Sequence, residues 1–313
     1  MLRYIIRRVL YAIPILLGVT VLTFILFYAT ATPEQMARRN LSTRNPTKQQ
    51  IQDWLVEHGY DKPRHEQAVK HVRELFLFQF GKSDATGEDI WTRIKQGAGP
   101  SAQVASVIFF SSLITSVAFA LGVAYFRGTY VDYWATFLCV LMMSIVMLVY
   151  IIAGQYYFGK LWKYFPLAGW DNGWNSWKFV LLPATVGIMA GLGSSVRLYR
   201  TFMLEEMNQD YVRTARAKGV GERAVLFLHV LKNAAIPILT SVILTIPFLI
   251  TGNLLLESFF AIPGLGGYLV DAIQSQDFAV VRAMVFMGAV LYIIGAILTD
   301  VSYALVDPRV RFE

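Results

Sequence analysis

The sequence predicts an all-α integral membrane protein with six membrane-spanning helices. Of its 313 residues, 56% are hydrophobic and 16% are charged, and the mean hydropathy is positive. This composition is too apolar for a soluble domain of such length. Six uncharged runs each come close to the ~20 residues that a helix needs to cross a bilayer. They cover residues 9–31, 101–126, 133–159, 179–196, 233–256 and 283–299, the last continuing past Asp300 to Val306.

The distribution of lysine and arginine predicts the orientation. With the N-terminus inside, the short inner segments carry thirteen of the 28 basic residues and the short outer segments carry four. The other eleven lie in a long loop that the positive-inside rule exempts. Both termini are therefore expected to be cytoplasmic. The formal charge of +7 collects at the ends of the apolar runs, which favours membrane anchoring over a nucleic-acid surface.

The chain divides into three parts. Residues 1–31 are expected to be an N-terminal tail and a first span, which is too long for a cleaved secretory signal. Residues 32–100 are the only sizeable polar stretch and predict a small external helical subdomain of two or three helices. Gly97, Gly99 and Pro100 are expected to close it. Residues 101–313 supply the core with the other five spans.

A basic segment, Asp210–Pro237, lies inside the predicted cytoplasmic loop 198–236. Asp210 is a plausible N-cap for a short helix through Lys218, and Gly219 is placed to be its left-handed C′ residue. A second helix is expected from about Glu222, ended or kinked at Pro237. Spacing alone leaves open an ordinary loop whose arginines anchor the flanking helices to lipid headgroups.

The sequence of this segment resembles the cytoplasmic loop of ATP-binding-cassette (ABC) importer membrane subunits. That loop has the pattern Glu-Ala-Ala, three residues, Gly, nine residues, Ile-x-Leu-Pro. Ala215, Gly219 and Leu231 match that pattern, whereas Arg213, Thr214, His229 and Lys232 depart from it. The dipeptide, oligopeptide and nickel permeases read close to Asp-Tyr-hydrophobic-Arg-Thr-Ala-Arg-Ala-Lys-Gly, which resembles Asp210–Gly219 without a gap. The resemblance implies an ATPase-coupling site made of Asp210, Tyr211, Arg213, Thr214, Ala215, Arg216, Ala217, Lys218, Gly219 and Leu231.

Three further motifs resemble the same permeases. They are the paired signatures at 58–63 and 80–83, the run Glu257–Gly267, and the tail 303–311. Physically, Glu257–Gly267 is either a re-entrant loop or an external loop with a short interfacial helix; the resemblance favours a loop at the external mouth. The candidates there for lining the pathway are Asn253, Glu257, Pro263, Gly264 and Gly266. One departure is that Met142–Val146 lacks the proline that the family commonly has.

The resemblance implies a permease subunit of an ABC importer for di- or oligopeptides or similar solutes, with six helices of the type I importer kind. It also implies a bacterial inner-membrane location and no cofactor on this chain, since ATP and Mg²⁺ would bind partner subunits. The implied partners are two ATPases, a homologous second permease that forms a heterodimer with this chain, and an extracytoplasmic substrate-binding protein. The alternative is a self-contained secondary transporter or channel, which would need ionisable residues near mid-membrane. The sequence does not name the cargo.

Two segments begin like enzymatic motifs, but each lacks a residue that its motif requires. Gly81-Lys82-Ser83 lacks the earlier glycine of a phosphate-binding loop because position 76 is Phe, and His65-Glu66 lacks the second histidine of a zinc-protease motif because position 69 is Val. The sequence therefore predicts that the chain is not an enzyme and holds no metal. Asp300 interrupts the last apolar run and is expected to pair with Arg197 or Arg200.

Overall fold

The computed structural model describes residues 2–30, 32–41, 46–171, 173–243, 245–246, 249 and 252–306. These residues are helical apart from connecting turns and one isolated β-bridge between Lys82 and Asp89, which confirms the all-α class. The helices are α1 Leu2–Thr30, α2 Pro33–Asn40, α3 Lys48–His58, α4 Arg64–Phe76, α5 Ile90–Tyr125, α6 Tyr130–Ser144, α7 Met147–Leu161, α8 Trp177–Met207, α9 Asp210–Ala217, α10 Glu222–Ile243, α11 Leu254–Phe259, α12 Leu265–Ser275 and α13 Phe278–Val306.

Five helices among the described residues are long and apolar enough to cross a membrane, namely α1, α5, α8, α10 and α13. The third predicted span, 133–159, is the pair α6 and α7, which together pass the same test but are bent by 95° at their junction. The chain therefore has six spans if the bent pair is counted as one. The predicted fifth run, 233–256, is described to Ile243 and again from Gly252, so its middle and Pro247 lie mostly outside the described residues, as does most of the tail motif.

The break between α6 and α7 was not predicted, because the run 133–159 contains no proline or charge. Ile145 and Val146 adopt extended backbone angles there, as β-branched residues tolerate well. The carbonyl oxygen of Met142 accepts hydrogen bonds from the Ile145 amide at 3.3 Å and from the Tyr150 hydroxyl at 2.9 Å. A break at this depth is stabilised because the freed backbone group has partners within the protein.

Helix α5 begins earlier than predicted. Asp89 caps it by accepting hydrogen bonds from the Thr92 amide at 2.8 Å and the Thr92 hydroxyl at 2.7 Å. The helix then continues through Gly97, Gly99 and Pro100, so these three residues do not separate the polar segment from the second span by a break in the helix. At ~1.5 Å per residue its 36 residues extend ~54 Å, which exceeds the ~30 Å hydrocarbon thickness.

Three short helices, α2, α3 and α4, precede α5. Thr32 with Gln35 and Thr47 with Gln50 form reciprocal capping boxes that start α2 and α3. Apolar side chains of α2 and α3 pack on Phe27 of α1 and Phe278 of α13, and α4 packs beside α1. This helical group therefore lies against two of the spans.

The ends of the spans are joined by ion pairs. Asp300 on α13 pairs with Arg8 on α1 at 2.8 Å, so its expected partners, Arg197 and Arg200, are wrong. Arg200 on α8 instead makes a two-pronged contact with Asp132 at the start of α6, with Nε 2.8 Å from Oδ1 and Nη2 2.7 Å from Oδ2. Sequence inspection missed this pair because Asp132 lies 68 positions away.

We expect Asp132→Ala to lower the free energy of unfolding by about 2 kcal/mol, because it leaves a partly buried guanidinium without its acceptors. Thermal unfolding of the purified protein in detergent measures this change. Asp61→Ala is the matched control, since Asp61 is exposed in a turn. Equal unfolding midpoints for the two variants would show that the Arg200–Asp132 pair does not stabilise the fold.

Candidate functional site

The first part of the site is α9 and the turn that follows it. Helix α9 starts at Asp210, but its N-cap residue is Gln209, which makes no side-chain capping bond. The predicted capping role of Asp210 is therefore wrong. Its carboxylate instead approaches Arg213 Nη1 at 3.4 Å, and its position in the first turn still complements the helix dipole.

The predicted left-handed glycine is confirmed. Gly219 has φ of +78°, and its amide donates to the carbonyl of Arg216 at 2.9 Å. The amide of Val220 donates to the carbonyl of Ala215 at 3.2 Å. These two bonds form a Schellman motif, which needs a left-handed residue at Gly219 and fixes the direction in which the chain leaves α9.

An ion pair closes the same turn. Arg216 Nε and Nη2 contact the two carboxylate oxygens of Glu222 at 3.0 and 2.5 Å, which ties the last turn of α9 to the first residue of α10. Hydrogen bonding to Glu222 is also the main reason that the pKa of Arg216 is raised. Because both side chains are partly exposed, the pair is worth at most about 1 kcal/mol, and its effect is mainly to set the angle between the helices.

One face of α9 is buried and the other is exposed. Val212 and Ala215 are buried in a cluster of apolar side chains contributed by the ends of α5 and α8 and by α10. Asp210, Arg213 and Lys218 lie on the exposed side. Helix α9 is therefore a rigid element that is packed on the ends of three spans and leaves a polar face open.

Further contacts hold α9 at its start and beside α10. The hydroxyl of Tyr211 donates to the carboxylate of Glu206 at the end of α8; burial and this bond raise the pKa of Tyr211 to about 12. The first part of α10 is wound as a π-helix over Val225–Val230 and leaves Phe227 and Leu228 exposed. The helix then passes through Pro237 to Ile243, so Pro237 does not end it, and the alternative of a kink at Pro237 stays a prediction.

The second part of the predicted site is the glycine-rich run after α10, which the structure builds as α11, a turn, and α12. Asn253 caps α11, accepting from the Leu256 amide at 3.1 Å. Glu257 is only 1% exposed. Its carboxylate accepts hydrogen bonds from three backbone amides, those of Asn253 at 3.1 Å, Gly266 at 2.6 Å and Gly267 at 3.2 Å. In this conformation the Glu257 carboxylate therefore joins the start of α11 to the start of α12 and contacts backbone amides.

The glycines of this turn are needed for space. A Cβ added at Gly264 would overlap both the Glu257 carboxylate and the Ser101 hydroxyl, and one at Gly266 would lie 2.9 Å from the Asn253 backbone. Ser101 on α5 accepts from the Leu265 amide at 2.7 Å, and Pro263 is half-buried in the turn. Sequence inspection missed Ser101, although the requirement for glycine at 264 and 266 indicates a close neighbour.

A second carboxylate anchors the polar segment to the core and was also missed. Asp277 caps α13, accepting from the Val280 amide at 3.1 Å. The same carboxylate accepts from the Ser83 hydroxyl and from the Ala85 amide, the latter at 3.2 Å. The motif at 80–83 therefore has a structural role, because Ser83 holds the loop before α5 against the start of α13.

Two family models match nearly the whole chain. Residues 114–312 match the binding-protein-dependent transport system inner membrane component, and residues 1–91 match the N-terminal model of the same membrane components. The chain belongs to this permease family. The permease is thus a multi-pass inner-membrane component of a binding-protein-dependent ABC importer, not a catalytic subunit. The alternative of a self-contained transporter or channel is wrong.

Curated relatives of the permease match over their full length. The oligopeptide transport system permease protein AppB of Bacillus subtilis is 32% identical over 99% of each chain. The dipeptide transport system permease protein DppB of Lactococcus lactis is 30% identical over 99% of this chain and 100% of its own. DppB of Alkalihalophilus pseudofirmus is 27% identical over 100% of both.

We expect Gly264→Ala to destabilise the permease by about 2 kcal/mol, because the added methyl group overlaps two oxygens that already hold hydrogen bonds. Gly99→Ala is the control, because Gly99 is helical, exposed and has open space around its Cβ position, where alanine favours the helix. Thermal unfolding in detergent compares the two. A Gly264→Ala midpoint at or above that of Gly99→Ala would contradict the role given to the turn.

Proposed function

We propose that this chain forms half of the translocation pathway of a peptide importer and receives mechanical work from ATPase subunits through α9. The observation that carries the proposal is the packing of α9, whose buried face joins the ends of three spans while its polar face stays open. The cargo is taken to be a di- or oligopeptide because the full-length relatives are oligopeptide and dipeptide permeases.

The ATPase-contacting surface is assigned to the open face of α9 together with Phe227 and Leu228. These two apolar side chains are 58% and 65% exposed on the π-wound part of α10, next to a helix whose exposed residues are largely polar. A surface with an apolar centre and a polar margin is typical of a protein interface. ATP and Mg²⁺ would bind the partner subunits.

Displacement of α9 would pass into the spans by two routes. The Gly219 turn and the Arg216–Glu222 pair connect α9 directly to α10, and the Tyr211–Glu206 hydrogen bond connects it to α8. Because packed interfaces switch between discrete arrangements and do not deform continuously, a push on α9 would favour one of two states of the permease pair. Those states are inward-open and outward-open.

At the other end, α11, the Glu257 turn and α12 are assigned to the external mouth. Glu257 would hold the shape of this turn, and Asn253, Pro263, Gly264 and Gly266 would form its frame. Six spans supply half a pathway, so a homologous second permease, forming a heterodimer, is part of the proposal. The substrate-binding protein would deliver cargo to the side on which α2–α4 lie.

The orientation can be tested by cysteine labelling. In a Cys139→Ser background, Lys218→Cys on the exposed end of α9 is expected to react with a membrane-impermeant maleimide only when the cytoplasmic side is opened. Asp61→Cys in the turn before α4 is expected to react from outside in intact spheroplasts. The reverse pattern would overturn the proposed orientation and the docking surface with it.

The coupling role is tested by a pair of glycine variants. Gly219 and Gly221 both have open space around a Cβ, but only Gly219 has positive φ, so valine there is strained by about 1–2 kcal/mol. We expect Gly219→Val to insert and assemble but to lose peptide-stimulated ATP hydrolysis and uptake in proteoliposomes containing all partners. Gly221→Val is expected to retain both.

Stimulation of ATP hydrolysis in Gly219→Val equal to that of the unaltered complex would refute the role of the turn. Uptake of peptide by this chain alone, without an ATPase, would refute the proposed function. If the assembled complex transports another solute class and not peptides, the cargo assignment fails while the coupling assignment stands.

A further inference from the structure

A cavity lies beside α1, away from both α9 and the Glu257 turn. It has a volume of about 1020 Å³ and is enclosed by α1, by α3 and α4, by the loop 79–87, and by α12 and α13. This volume is at the upper end of ligand pockets. The two walls differ in chemistry, since one comes from membrane-spanning helices and the other from the polar segment.

The apolar wall reaches the exposed surface of α1, a membrane-spanning helix. Leu22 and Leu26 line the cavity from α1 and are 59% and 52% exposed, although they sit in the stretch of α1 that is apolar enough to cross the membrane. Val281 and Val285 of α13 continue this wall. An opening flanked by exposed leucines of a spanning helix is accessible sideways from the bilayer.

The polar wall carries charges of both signs. Arg282 Nη2 lies 3.9 Å from Glu74 Oε2, and Lys70 Nζ lies 3.7 Å from Glu74 Oε1; both are long for ion pairs. Glu57 lies on the same wall. Two cations that are held loosely on one carboxylate keep N–H donors available for an additional anion.

His71 contacts Arg282 at this wall and is itself uncharged at neutral pH. It is buried between α4 and α1, and burial together with the nearby Arg282 charge lowers the pKa of His71 to about 4. The neutral ring can accept from Arg282 Nη1, which lies 3.4 Å from Nδ1, and so helps to hold the guanidinium at the cavity wall. At neutral pH the positive charges at this wall are therefore Arg282 and Lys70, with Lys82 on the neighbouring loop.

We propose that this cavity binds the headgroup of a zwitterionic phospholipid, phosphatidylethanolamine, with its phosphate on Arg282 and Lys70 and its ammonium group near Glu57. The acyl chains leave over Leu22 and Leu26 into the bilayer. A soluble peptide also carries both charges, but the exposed leucines at the opening favour a ligand with hydrocarbon chains. The bound lipid would fill the space between α1, α13 and the polar segment.

The test uses the purified full-length permease, stripped of lipid in detergent and titrated with phosphatidylethanolamine, phosphatidylglycerol or phosphatidylcholine under native mass spectrometry. We expect phosphatidylethanolamine to bind more tightly than phosphatidylglycerol, which lacks the ammonium group. Phosphatidylcholine is expected to bind more weakly as well, because its methylated ammonium cannot donate hydrogen bonds to a carboxylate. Arg282→Gln and Lys70→Gln should each weaken phosphatidylethanolamine binding about tenfold, the effect of one charge-assisted hydrogen bond.

Arg73→Gln is the matched control, because Arg73 is on α4 like Lys70 but is exposed and outside the cavity wall; it should bind lipid as the unaltered chain does. Equal affinity for the three lipids would overturn the proposal, as would unchanged binding in both Arg282→Gln and Lys70→Gln. Competitive displacement of the lipid by a dipeptide would show that the cavity is a peptide site instead. Binding is measured separately for Arg282→Gln and Lys70→Gln. If one of these variants does not fold, the result for the other decides the test.

Discussion

Burial of Val212 and Ala215 is the constraint on which the proposed mechanism depends. These two side chains place α9 in the same apolar cluster as the ends of α5, α8 and α10. Without that packing, the Arg216–Glu222 pair could not hold α9 in place, because exposed ion pairs contribute little. With it, the pair and the Gly219 turn need only set an angle. The rigidity of the segment comes from apolar burial, and its charges remain available to a partner.

A second constraint acts within the membrane, where backbone groups that leave a helix must find partners inside the protein. The permease meets it with single side chains. Tyr150 satisfies a carbonyl at the α6–α7 break, and Glu257 satisfies three amides, that of Asn253 before α11 and those of Gly266 and Gly267 in the first turn of α12. A carboxylate is suited to the second position because it accepts from several donors at once.

The sequence was sufficient for the spans and for the α9 turn, and the reason is that both depend on local pattern. Hydrophobic runs of ~20 residues and a glycine that follows a basic helix can be read without knowing the fold. The break in the third predicted span could not be predicted, because Ile145 and Val146 are ordinary membrane-helix residues and the hydrogen bond from Tyr150 to the Met142 carbonyl is recognised only in the folded chain. The ion-pair partners of Asp300 and Arg200 could not be predicted for a related reason. In each pair the two residues lie on helices that are distant in sequence. Glu257 was identified as notable, but its three amide donors required the folded turn.

The two rigid ends of the molecule leave the bent α6–α7 pair as the element best suited to change shape. Helix α9 is fixed on the ends of three spans, and the α11–α12 turn is fixed by Glu257 and by Ser101 on α5. Between them, α6 is attached to α8 at its start through Asp132 and Arg200, and its last turns, Cys139–Met143, pack closely on Gly193 of α8 before the break. Because α6 is held on α8 at both ends, a rotation of α8 would carry α6 with it, and the extended residues Ile145 and Val146 would absorb the change in angle between α6 and α7. Such a hinge needs few residues, because two backbone positions are enough to alter the direction of a helix.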